Sequence, residues 1–158
     1  MSQPNRDRAA VTVLTAIGAV LGHHGGDFLV QTDCMAAGKR EHTPHGRRAL
    51  ARHAVSYAGA QAVTKAALYG ASGVRVPVAA QLAGAVVEGV LHALIDDARL
   101  LQRLARSTGK ARFHDVAPGG RMHMDQAAHM QVQILAGTVT TALIAARRHR
   151  SGRDDNGR

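Results

Sequence analysis

Four stretches of the chain are apolar, at residues 9–22, 54–73, 76–95 and 132–146, and polar segments separate them. Alternation of the strand type is nearly absent, so the pattern predicts an all-α protein of about four helices. The second and third stretches each approach the length at which a helix, rising ~1.5 Å per residue, spans a hydrocarbon core. Only residues 74–75 lie between them, with Gly70 and Gly73 before and Pro77 after. That spacing predicts a tight turn and a central antiparallel helical hairpin. The other connections are longer, with Pro44 and Gly46 in the first and Gly109, Pro118, Gly119 and Gly120 in the second. The expected organisation is a disordered N-terminus at 1–8, one helical domain at 9–146 and a disordered basic tail at 147–158.

Composition narrows the picture. A length of 158 residues leaves room for one domain, and aromatic residues at 3% with no Trp mean a core built from small side chains. Cys34 is the only cysteine, which excludes a disulfide framework and any Cys-rich zinc or iron–sulfur site. It reads as a small buried or interfacial residue, and Asp33 as the N-cap of a short helix beginning at Cys34. No small-x-small cleavage site follows the first residues, so a secretory signal is not expected.

The net charge of +9 is unevenly placed. Residues 39–53 carry +4 (Lys39, Arg40, Arg47, Arg48 and Arg52 against Glu41), 97–112 carry +4 and 147–158 carry +3, whereas 54–96 are neutral. If only the hairpin crosses a membrane, the N-terminus, both basic loops and the tail fall on the cytoplasmic side, as the positive-inside rule requires. Membrane lipids are then the expected partner. Against this, Lys65 and Glu88 interrupt the two stretches and mean hydropathy is slightly negative, so a cytoplasmic soluble bundle competes with the cell-membrane reading. The charge also permits nucleic-acid binding, but stacking aromatics and a reading motif are missing.

Candidate chemistry rests on ten His residues. His23 with Asp27, His92 with Asp96, and Asp125 with His129 each stand four apart, on one face of a helix. Random placement gives about one such pair in this composition. His53 and Asp96 fall at adjoining ends of the hairpin. Gln81, Glu88, His92 and Asp96 make one stripe, and His53, Tyr57, Gln61 and Thr64 another. Together they make a mixed imidazole–carboxylate shell suited to Zn, Mn, Fe or Ni, with His23, Asp27, His53, His92, Asp96, Asp125 and His129 as ligands or water-activating groups. The competing reading makes each pair a local hydrogen bond or helix cap. His42, His45, His114, His123 and His149 read as exposed, and Met122, Met124 and Met130 as core.

The ordered series His23-x3-Asp27-Phe28-x2-Gln31-x-Asp33, then Lys39, His53-Ala54, His92-x2-Ile95-Asp96 and Asp125-Gln126-x2-His129 resembles an uncharacterised bacterial and phage family of small helical proteins, classed as a domain of unknown function. The resemblance implies a membrane protein whose His/Asp set is similar to that of membrane-bound metal-dependent hydrolases. By position, Gln31, Asp33 and Gln126 join the seven candidate ligands as its polar signature. Gly25 and Gly26 stand where bulkier residues are usual, which sets a helical cost of about 1 kcal/mol each against the pairing of His23 with Asp27. The resulting expectation is a membrane-associated, metal-dependent hydrolase-like protein. A non-enzymatic membrane or regulatory module, with a structural His/Asp network and partner-binding basic loops, is the alternative.

Overall fold

A computed structural model describes residues 3–155, and side chains through Arg147 apart from that of Pro4. Among these residues every regular element is helical. Helix α1 (Gln3–His24) runs into a π-helical turn at Gly25–Val30, followed by α2 (Asp33–Gly38), α3 (Pro44–Ser72), α4 (Val78–Asp96), α5 (Arg99–Ser107), α6 (Ala111–Val116) and α7 (Gly120–Ala128). A second π-helical turn at His129–Ile134 joins α7 to α8 (Leu135–Asp155) without a break. The described residues thus form seven continuous rods rather than four: the four expected long ones, and three short ones folded from the two polar connections.

Several boundaries differ from the sequence pattern. Helix α1 begins at Gln3, within the segment expected to be disordered, and its first turns are tied by Gln3 Nε2 donating to Asp7 (2.8 Å) and Arg6 donating to Gln3 (3.0 Å). The helical backbone of α8 likewise enters the tail. Helix α3 starts at Pro44, because Thr43 accepts the Gly46 N–H (3.0 Å) and Pro suits a first helical position. Thr32, not Asp33, caps α2 by accepting the Met35 N–H (3.3 Å). Cys34 is exposed rather than buried, and exposed Met122 lies outside the core.

The central hairpin forms as expected: Gly73 closes α3 with φ 66°, and Pro77 precedes α4. Its termini are placed differently. Helices α1, α3, α4 and α8 alternate in direction, so the C-terminal end of α1, the start of α3, the end of α4 and the α7–α8 junction meet at one end. The other end gathers Val11, Tyr69, Val76, Ala80 and Ala145 around the Thr15–Tyr69 hydroxyl contact (2.7 Å). The N-terminus and the start of the tail therefore lie away from the basic loops, not beside them.

Burial follows a four-residue row on each long helix. In α3 the buried row is Ala49, His53, Tyr57, Gln61, Lys65 and Tyr69, and in α4 it is Ala80, Gly84, Glu88, His92 and Asp96. The opposite row of α4, Val78, Leu82, Val86, Val90 and Leu94, is exposed. Lys65 thus belongs to the inner row, whereas Thr64 and Gln81 sit half-buried beside theirs. Polar and charged side chains thus fill much of the interior, and the exposed row of α4 is apolar. Small residues let the helices close: a Cβ on Gly84 would stand 2.0 Å from Thr141 Oγ1, and one on Gly137 would stand 2.2 Å from Glu88 Cγ. By length and composition, two helical segments among the described residues are apolar enough to cross a membrane, Asn5–Val30 and Val78–Asp96. Helix α3, expected as one spanning member, is not among them, since Gln61 and Lys65 interrupt it.

Candidate metal centre

The loop-side end of the bundle brings all seven candidate ligands together. His23 and Asp27 come from α1 and its π turn, His53 from α3, His92 and Asp96 from α4, Asp125 from α7 and His129 from the second π turn; all seven are buried. The shortest contacts among them run between helices. His53 Nε2 lies 2.9 Å from His92 Nε2 and 3.0 Å from Asp96 Oδ2, and His92 Nε2 lies 3.1 Å from the same oxygen. Asp27 Oδ1 stands 3.4 Å from His53 Nε2 and 3.8 Å from His92 Nε2. His129 Nε2 faces Asp96 Oδ1 at 3.6 Å and Asp125 Oδ2 at 3.7 Å, and His23 Nε2 faces Asp27 Oδ2 at 3.6 Å. The three pairs are one cluster, not separate caps.

Both π turns lie at this cluster, as such insertions often do at functional sites. In the first, the Gln31 N–H reaches Gly26 O (3.0 Å), five residues back, and Gly26 packs closely against Tyr57. The paired glycines therefore do not separate His23 from Asp27, and Gly26 lets this turn approach α3. The second turn keeps Asp125, His129 and Gln133 all facing inward.

Outer partners fix the rings. The Gln133 carboxamide oxygen can only accept, and it faces Nδ1 of His129 (2.5 Å) and of His92 (3.3 Å). Gln133 Nε2 in turn donates to the Tyr57 hydroxyl, whose ring stacks on His92 with centroids 3.6 Å apart. With its carboxamide turned to satisfy its neighbours, Gln31 accepts from His53 Nδ1 (3.2 Å) and Lys39 Nζ (3.0 Å). Each of these three rings, when neutral, donates through Nδ1 and turns a bare Nε2 lone pair inward. His23 Nε2 meets Gln126 Oε1 at 3.1 Å.

That arrangement leaves acceptors in surplus. Asp27 Oδ1, His129 Nε2 and His23 Nδ1 are buried without a hydrogen bond, and the Asp96 oxygens are met only by Lys39 Nζ and by imidazole nitrogens. Lys39 Nζ makes an ion pair with Asp96 Oδ1 (2.8 Å) and Arg40 with Asp125 (3.3 Å), so two cations face three carboxylates. Burial pushes the Asp125 carboxyl above its ordinary range, against the pull of His129. Outside the cluster, hydrogen bonds from Arg99 hold Asp97 below its ordinary range.

The donor set could hold a metal ion. Ligands held at about 2.0–2.2 Å from an ion stand about 3–3.5 Å from their neighbours, and the contacts among the seven given above run from 2.9 to 3.8 Å. Three groups have ligand atoms within 4.8 Å of one another: His23, His92 and His129; Asp27, His53 and His92; and Asp96, Asp125 and His129. His92 and His129 each belong to two of them.

The remaining residues divide plainly. Asp33 is exposed outside the cluster. His114, expected to be exposed, is buried because α6 folds beneath α7, and its Nδ1 meets Asp115 at 2.7 Å. His42 pairs with Asp97 (2.7 Å) and remains exposed, as do His45 and His123, and the His149 side chain lies outside the described residues. Gln133 was not visible as a site residue from the sequence, although it continues the row of Asp125 and His129 by four.

The family model described as "Protein of unknown function (DUF3307)" matches residues 15–151, which contain every member of the cluster. The chain belongs to this family. No curated protein and no solved structure matches it. In this DUF3307 chain, then, the chemistry has to be read from the residues themselves.

Proposed function

We propose that the protein is a membrane-embedded helical bundle that holds a divalent metal ion at its loop-side end and acts as a hydrolase. The observation that carries the reading is convergence: four imidazoles and three carboxylates, all buried, meet in groups whose ligand atoms lie within 4.8 Å of one another. Burying polar groups without partners is costly, and a cation is the partner this donor set lacks. A bound ion of the Zn, Mn, Fe or Ni class would polarise a substrate oxygen and acidify a water. The chain's own residues bind and orient: Asp96 bridges the two halves of the cluster, Gln133 and Gln31 hold the rings, and Asp125 stands at the open side to accept a proton.

Membrane embedding is supported by the exposed apolar row of α4. Valine and leucine on the outer row of α4 meet solvent if the protein is in water, whereas in lipid that row is the expected lining. Both segments of charge +4, 39–53 and 97–112, lie at the site end, so the reading places that end on the cytoplasmic side. Val86→Lys tests it, because a Lys at a spanning centre costs about 3 kcal/mol. The variant should leave the membrane fraction, and unchanged recovery with membranes would contradict embedding.

The Lys39–Asp96 ion pair favours a second reading, a structural His/Asp network in a non-enzymatic module. Elemental analysis of detergent-purified protein separates the two. A stoichiometric divalent metal supports the first reading, and none after incubation with each candidate ion supports the second.

A further inference from the structure

The cluster is reached through a cavity of about 460 Å³ whose floor includes Asp27 and Asp125 and whose walls carry Lys39, Arg40 and Arg121. A second hollow, of about 480 Å³, runs beside it and is lined mainly by His24, Phe28, Met122, Ala127 and Met130. The two share Phe28, Met122 and Gln126, so they adjoin across these side chains, one charged and the other apolar. Phe28 and Met122, at the seam, are 57% and 52% exposed. Arg40 and Arg121 keep partly exposed guanidinium groups on the charged side while facing Asp125 (3.3 Å) and Asp115 (3.6 Å).

Each hollow calls for a different part of one ligand. Two arginines and a lysine over a metal centre match a phosphate, whose oxygens take forked guanidinium contacts. The carboxylate floor would repel that anion without a cation, so the inference rests on the metal reading above. The apolar hollow has no use for a phosphate. A chain of methylenes attached to the phosphate would fill it, and such a molecule already lies at a membrane surface.

We propose that the substrate is a lipid phosphate: a phosphate ester whose headgroup enters the basic cavity over the cluster while its hydrocarbon chain lies between Phe28, Met122 and Met130. In its hydrolysis a water oxygen bonds to phosphorus and the ester P–O bond breaks. One water proton goes to the departing lipid alcohol, and the other remains with the released phosphate.

Binding tests this without turnover. The full chain in maltoside micelles, loaded with Zn or Mn and checked for metal content, is titrated calorimetrically with inorganic phosphate, dioctanoyl phosphatidic acid and dioctanoyl phosphatidylcholine. Phosphatidic acid should bind at least about 10-fold more tightly than inorganic phosphate through its buried methylenes, and phosphatidylcholine should bind weakly or not at all. Arg121→Ala should weaken phosphatidic acid and inorganic phosphate alike by about 10-fold. Phe28→Ala with Met122→Ala should remove the advantage of the lipid and leave inorganic phosphate unchanged. Metal-loaded protein that binds both phosphates equally, binds neither, or does not distinguish the two lipids overturns the inference and leaves the metal reading standing. A chain that retains no metal overturns that reading first, and the inference with it.

Discussion

Two buried polar assemblies share helices α3 and α4, and they differ in whether their charges cancel. Toward the middle of the bundle, Lys65 from α3 meets Glu88 from α4 in a hydrogen-bonded ion pair, one cation to one anion. At the loop-side end, Asp27, Asp96 and Asp125 face Lys39 and Arg40, with four imidazoles among them. The first balances its charge and leaves one oxygen, Glu88 Oε1, without a hydrogen bond. The second, with its imidazoles neutral, has two cations for three carboxylates. Burial alone does not mark a site; an imbalance that only a cation or a proton can correct does.

Asp96→Asn should have the largest effect. It removes the carboxylate shared by His53, His92, His129 and Lys39, so bound metal should fall to background by elemental analysis. Retained stoichiometric metal would mean that Asp96 only anchors Lys39.

Lys65→Met breaks the balanced assembly instead. An uncompensated buried Glu88 should cost about 3–5 kcal/mol in denaturant or thermal unfolding, and adding Glu88→Leu should recover most of it. Metal content should stay at the wild-type level in the double variant. A double variant as unstable as the single one would show that the pair is not the closed unit described.

Gly137→Ala presses on the same region without altering charge. Its Cβ would crowd Glu88, and overpacking of this kind costs about 1–3 kcal/mol. The expected result is a lower melting temperature at constant metal content, and metal loss would show the two assemblies to be coupled.

Gln133→Leu is the mildest change. It leaves every candidate ligand in place and removes the oxygen that both His92 and His129 face, so metal affinity should weaken by about 10–100-fold in competition with a chelator. Unchanged affinity would release Gln133 from an orienting role.

The helical class, the hairpin and six of the seven clustered residues were legible because each left a local mark: apolar stretches, a Gly and Pro turn, and His–Asp spacings of four; His53 was placed by the adjoining ends of the hairpin. What stayed hidden depended on contacts between distant segments. Lys65 read as an interruption of an apolar helix because its partner, Glu88, lies on another helix. His114 read as a loop residue because nothing nearby in sequence shows α6 folding under α7. The termini were placed on the loop side because charge counting fixed the topology before packing did, whereas four alternating long helices send them to the opposite end. Gln133 carried a signal, four residues beyond His129, but a neutral amide attracts no attention until two rings are seen to face its oxygen.

The most direct measurement is anomalous X-ray scattering, at the edge of the loaded metal, from crystals of the full chain grown with Zn or Mn. A peak about 2.0–2.2 Å from Nε2 of His53 and His92 and from an Asp96 oxygen is the expected result. Metal-equilibrated crystals with no peak there, and with Lys39 still bonded to Asp96, would contradict a metal centre and leave a structural network in its place.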